Sequence, residues 1–375
     1  MFRMFPFVAG AHFETANVRN LLLASGVEVS EAMCLGIGGG IAAGYQFCPS
    51  VQNYHSLASS GAQFIPRVKL MTTNGAWYRD TFSRLGVAMD VRESAGKKAA
   101  RENLEAGLAA GKMVVAWTTP LGLALTQNWT ATCGMYTVLV REVAGDVVRY
   151  SDHVSVREMG LAEFTAARDR VCSFKNRTMT VTVGKKLDWK GAVRAGLQET
   201  AGDFVKPRLG TFNLPGLKEG VAVITGKGKR AWPVLFPGKL VLLPMRDLYE
   251  SIELGTGGGL MRPLYAAFLE EAAELLGKVE LSRVAGLYRE LGAEWTGFAN
   301  FLLPKPFAET KKAMGRLATG ETGQVERLQR LREEAFPWDD AEVGLFLAEL
   351  AGRLGALYER EVAVAGELVE VVGKV

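Results

Sequence analysis

From residue 14 onward, Asn17, Val18, Leu21, Leu22 and Leu23 fall at helical spacing, and Gly26 closes the run, so a helix is predicted over 14–25. Ser30 offers an N-cap to a second, short apolar helix, SEAMCLG, which leads into the glycine-rich GIGGGIAAGY. Helical spacing returns over 76–85 and 98–110. Around these helices, 87–91, 112–117, 135–142, 146–152 and 174–183 are rich in β-branched residues and read as strands. Val-Ala-Gly between the third and fourth of them signals a hairpin. From about residue 188 the strand signals vanish and helical spacing dominates, punctuated by prolines such as Pro207, Pro215, Pro244 and Pro304. The pattern predicts an α+β first domain with a small antiparallel sheet, residues 1–185, and an all-helical second domain, residues 186–375, with no internal repeat.

Composition narrows the function. A chain of 375 residues with 48% apolar and 22% charged residues is globular and long enough for two cores. The net charge of +4 is modest and its basic residues are spread out, so nucleic acid is not an expected partner. Cys34, Cys48, Cys133 and Cys172 form no C-x-x-C pair, and His12, His55 and His153 give no zinc spacing, so no metal and no disulfide framework are expected. The start, MFRMFPFVAG, is too short and too interrupted by Arg3 for a signal peptide, and no stretch reaches the ~20 apolar residues of a membrane span. The expected location is the cytoplasm.

Three segments, GAHFETANVRNLL, VSEAMCLGIGGGIAAGY and YTVLVREVAGDVVRYSD, occur in an order that resembles the butirosin biosynthesis protein H family; GTGGGLMRPLYAAFLEEAAE resembles the helical domain that often follows in it. The resemblance implies a papain-like, cysteine-protease-derived first domain. It also implies an acyltransferase of small-molecule biosynthesis that moves an aminoacyl group from a carrier-protein thioester onto an amine. Such chemistry needs a cysteine at a helix N-terminus, where the helix dipole favours the thiolate, a histidine to take the proton and an acid to orient the histidine. Carried over position by position, Phe13 stands at the nucleophile position, Tyr136 at the histidine position, and Asp152 and the neighbouring His12 are retained. A Phe–Tyr contact in place of the Cys–His pair is how a disused site is plugged.

The remaining chemistry-bearing residues each carry two readings. Cys133 is either a relocated thiol or a small buried residue. His12 either pairs with Asp152 as a base or bonds the backbone at the head of the helix. His153 follows Asp152 on an alternating strand and is expected to face the opposite way. Gly38, Gly39 and Gly40, and Thr256, Gly257, Gly258 and Gly259 with Arg262 nearby, lie in glycine runs that either bind an anion through backbone N–H groups or permit close packing. Neither run fits a nucleotide-binding loop. The reading is a degenerate relative that binds a ligand or partner in a remodelled cleft. The alternative is an active amide-forming enzyme using His12 with Asp152, or Cys133, on a carrier thioester or amine. No cofactor is expected, an acyl carrier protein is a candidate partner, and self-association through the helices is expected.

Overall fold

The segments rich in β-branched residues pair as antiparallel strands. The protein is described here from a computed structural model that covers residues 5–48, 60–67, 69, 75–118, 136–169, 175–318, 321, 323–334 and 336–375. In chain order the elements are α1 (Phe13–Ala24), α2 (Glu31–Ile37), β1 (Gly44–Phe47), β2 (Ala62–Ile65), α3 (Ala76–Leu85), β3 (Ala88–Arg92), α4 (Lys97–Ala109), β4 (Val114–Thr118), β5 (Tyr136–Ala144), β6 (Val147–Ser151), β7 (Val156–Gly160), α5 (Leu161–Asp169) and β8 (Thr178–Thr182). There follow α6 (Trp189–Val205), α7 (Leu214–Thr225), α8 (Trp232–Leu235), α9 (Leu242–Tyr249), α10 (Arg262–Leu276), α11 (Glu280–Leu302), α12 (Ala308–Ala318), α13 (Gln324–Glu333) and α14 (Asp340–Val372). Among the described residues no strand occurs beyond residue 188, and no helix is long and apolar enough to cross a membrane.

The chain divides into two compact units, residues 1–39 with 69–195, and residues 40–68 with 196–375. The segment 40–68, read from the sequence with the first domain, thus groups with the helical unit. The first unit is built on an antiparallel sheet of order β3-β8-β4-β5-β6-β7. Val114, Ala116, Val138, Val140, Val148 and Tyr150 pack with Leu104 of α4 and with Leu161, Phe164 and Ala167 of α5 into one core cluster. These residues alternate along their strands and so share one face of the sheet; in β4 and β8 the other face is buried as well. Gly145, at φ 58°, makes the β5–β6 turn, and a bulge falls between Val140 and Glu142. Strand β7 and helix α5 were not expected from the pattern. As the edge strand, β7 alternates only between exposed and half-buried positions, so it carries little apolar signal.

In the second unit β1 and β2 form a short antiparallel pair, and the helices surround a core that includes Trp232, Trp295, Tyr265 and Leu354, each without exposure. Helix α9 runs on into a π-helical turn, Glu250–Leu254, and a 3-10 turn, Gly259–Met261, leads into α10.

Candidate functional site

Helix α1 starts at Phe13, with His12 at its N-cap in extended conformation. No side chain of His12 caps the helix. A carboxylate from the next helix does that work instead. Glu31, buried at the start of α2, accepts the backbone N–H of Ala11 (2.9 Å) and of His12 (2.9 Å) and the hydroxyl of Thr15 (2.6 Å). An acid at the positive end of a helix, bonded to its free N–H groups, fixes where that helix begins. Farther along α1, the buried Asn17 donates to the carbonyl and hydroxyl of Thr137, each at 3.1 Å, and the Tyr78 hydroxyl lies 2.8 Å from the same Thr137 hydroxyl. These bonds tie α1 to the start of β5.

The consequence is a cluster of rings. Phe13, at the head of α1, lies with its ring centroid 4.4 Å from that of Tyr136, the first residue of β5, and 4.4 Å from the imidazole of His12. The Tyr136 hydroxyl is 2.6 Å from Nδ1 of His153. Burial, reinforced by the Asp152 carboxylate, holds the Tyr136 hydroxyl well above its usual pKa. Burial also lowers the His153 pKa, against the pull of Asp152 and Glu31. The pair is therefore a neutral phenol on a neutral imidazole.

His153 was expected to face away from this region, on the assumption that the strand continues through it. It does not: β6 ends at Ser151, and the chain turns. Asp152 stabilises that turn, its Oδ1 accepting the N–H groups of Val154 and Ser155 at 2.8 and 2.7 Å and its Oδ2 accepting Nε of Arg157 at 2.6 Å. The turn swings the His153 ring toward Tyr136, while its carbonyl accepts the N–H of Gly10 at 2.7 Å. Phe13 and Tyr136 thus meet as the sequence suggested, and Asp152 lies close enough to act on both Tyr136 and His153. The expected His12–Asp152 pair is not seen: the Asp152 carboxylate bonds the turn and Arg157 instead. Cys133 lies outside the described residues.

The glycine runs are packing devices. A methyl group on Gly38 would collide with the Trp77 indole, and one on Gly40 with the Thr200 hydroxyl. The N–H groups of Gly38 and Gly39 bond back to Cys34 and Gly36. In the second run, Gly257, Gly258, Gly259, Leu260 and Met261 all have positive φ. Gly259 sits against the backbone of Gly292, where a methyl would meet its carbonyl oxygen at 2.7 Å. Its N–H donates to Glu253 (3.3 Å), so an acid of the chain already holds the anion position. Thr256 bonds back to the Ile252 carbonyl. Arg262 does not serve an anion at this turn either. It is fully buried and donates to Glu361 (2.8 Å), Leu260 O (2.6 Å) and Ala42 O (2.8 Å).

Among the described residues no three His, Cys, Asp or Glu side chains gather as they would around a metal ion. Comparison with known proteins gives two matches. Residues 12–152 match the family described as butirosin biosynthesis protein H, N-terminal, and residues 159–328 match a domain of unknown function, DUF4872. No curated protein matches the chain.

Proposed function

We propose, for a chain that belongs to the butirosin biosynthesis protein H-like family of biosynthesis-related, enzyme-like proteins, that its papain-like first domain is a degenerate acyltransferase that binds a ligand or partner in a remodelled cleft. The observation that carries this reading is the Phe13–Tyr136 contact at 4.4 Å. A phenyl ring at the head of α1 has no lone pair with which to attack a thioester. Tyr136, held neutral by burial, is a poor general base at neutral pH. What remains is a surface of aromatic rings with one polar pair, Tyr136 and His153, suited to holding a small molecule rather than turning it over. The family setting supports a ligand drawn from small-molecule biosynthesis; the proposed candidate partner is an acyl carrier protein and the proposed location the cytoplasm.

An acyl-transfer assay with carrier-bound thioesters and amine acceptors tests this. The wild-type chain is expected to give no turnover above the uncatalysed rate. Native mass spectrometry is expected to show a non-covalently retained small molecule, lost in Phe13→Ala. The double variant Phe13→Cys with Tyr136→His restores the ancestral pair, and a reactive thiolate in it, absent from wild type, would support the alignment of the site. Robust wild-type turnover that disappears in Cys133→Ser would overturn the proposal in favour of a relocated nucleophile.

A further inference from the structure

In the helical unit, the segment 239–246, residues 306–310, α13 and residues 336–337 enclose an open cleft of about 790 Å³. That is within the ~300–1,000 Å³ typical of small-molecule sites. Its floor is apolar, formed by Leu243, Leu331, Phe307 and Phe336, with Leu240 at the rim still 43% exposed. Behind the floor stands Trp338, its ring 4.9 Å from Phe307 and 5.9 Å from Phe336.

The charges around the cleft narrow the ligand. Of its cations, Arg327 is paired with Glu309 and Arg246 with Asp247 at 3.6 Å. Lys239 and Arg330, both exposed, form no ion pair among the described residues, and Glu334 is the one further carboxylate among the lining residues. The balance leaves an excess of one positive charge over an apolar floor. A polyphosphate would set several negative charges against Glu309 and Glu334. A wholly apolar ligand would leave the rim cations unused.

We propose that this cleft binds an amphipathic monoanion, a single carboxylate on an apolar body. The carboxylate sits between Lys239 and Arg330, and the body lies on the Leu243, Phe307 and Phe336 floor. The inference stands independently of the reading of the Tyr136 site, which belongs to the other unit.

Dodecanoate, titrated below its micellar concentration into the full chain, is the probe. Calorimetry is expected to show saturable one-to-one binding, with a change in tryptophan emission that Trp338→Phe abolishes. The double variant Lys239→Glu with Arg330→Glu is expected to weaken binding at least about tenfold. Leu240→Glu, at a position exposed enough to leave the fold intact, is expected to block it. No saturable binding, equal affinity in the charge-reversed variant, equal affinity for dodecanol, or equally tight binding of inorganic phosphate would each overturn the proposal.

Discussion

The hydroxyl of Tyr136 and Nδ1 of His153 lie 2.6 Å apart, and burial keeps both groups uncharged. A histidine whose folded pKa lies below its unfolded value near ~6.5 binds fewer protons folded than unfolded. Its contribution to stability is therefore intact above about pH 6.5 and is lost as the pH falls from there through the folded pKa. Urea midpoints at pH 7.5 and pH 5 are expected to fall further in wild type than in His153→Gln. Equal pH dependence in the two proteins would show that the imidazole is not buried in this way.

Glu31 sets the start of α1. Replacing it by Gln puts an amide NH₂ among donors that now share a carboxylate, and a cost of about 2–3 kcal/mol is expected. Because the Phe13 ring is positioned by that helix end, ligand retention should fall along with the thermal midpoint. A variant that melts lower yet holds ligand as tightly would separate the helix end from the site.

Arg262 and Glu361, neither of them exposed, are 2.7 Å apart, and Trp295 donates to the same carboxylate oxygen at 2.6 Å. Removing one partner leaves a bare charge in a dry core. Arg262→Met is expected to cost about 3–5 kcal/mol, and the double change with Glu361→Leu to cost less than either single change. Chemical denaturation of the three variants gives the coupling directly.

Gly259 and Gly258 make a matched pair of tests. Both have positive φ, but a methyl on Gly259 meets the Gly292 backbone at 2.7 Å, whereas on Gly258 the nearest atom is a carboxylate oxygen of Glu253 at 3.6 Å. Gly258, at φ 93° and ψ 154°, lies in a region that essentially only glycine adopts, so Gly258→Ala should cost about 1–3 kcal/mol from backbone strain alone. Gly259→Ala should cost clearly more, since α11 must shift. Similar midpoints for the two would contradict the close approach of the two backbones.

What could be read in advance follows the physics of each element. The strands of the first sheet's interior are legible because they are rich in β-branched residues, as strands buried on both faces are; β4 is buried at every position. Phe13 and Tyr136 could be paired because two separated segments fitted one family in the right order. His153 escapes the pattern because alternation holds only while a strand lasts, and β6 stops two residues before it. Glu31 is not legible in the sequence because an acid just after a serine N-cap looks like ordinary helix-dipole matching, and nothing local shows that its carboxylate serves the neighbouring helix. β1 and β2, four residues each in a glycine-rich stretch, were too short to show a period.

The early segment that carries β1 and β2 also has a consequence for how the chain is made. Residues 40–68 leave the ribosome before residues 69–195 of the first unit, yet the helices that complete their own unit begin only at residue 196. At roughly 5–20 residues per second, these two strands wait on the order of ten seconds for their partners. During synthesis the helical unit is therefore the last to close, with an exposed strand pair held in reserve, and a nascent chain halted near residue 195 should attract chaperones through that pair.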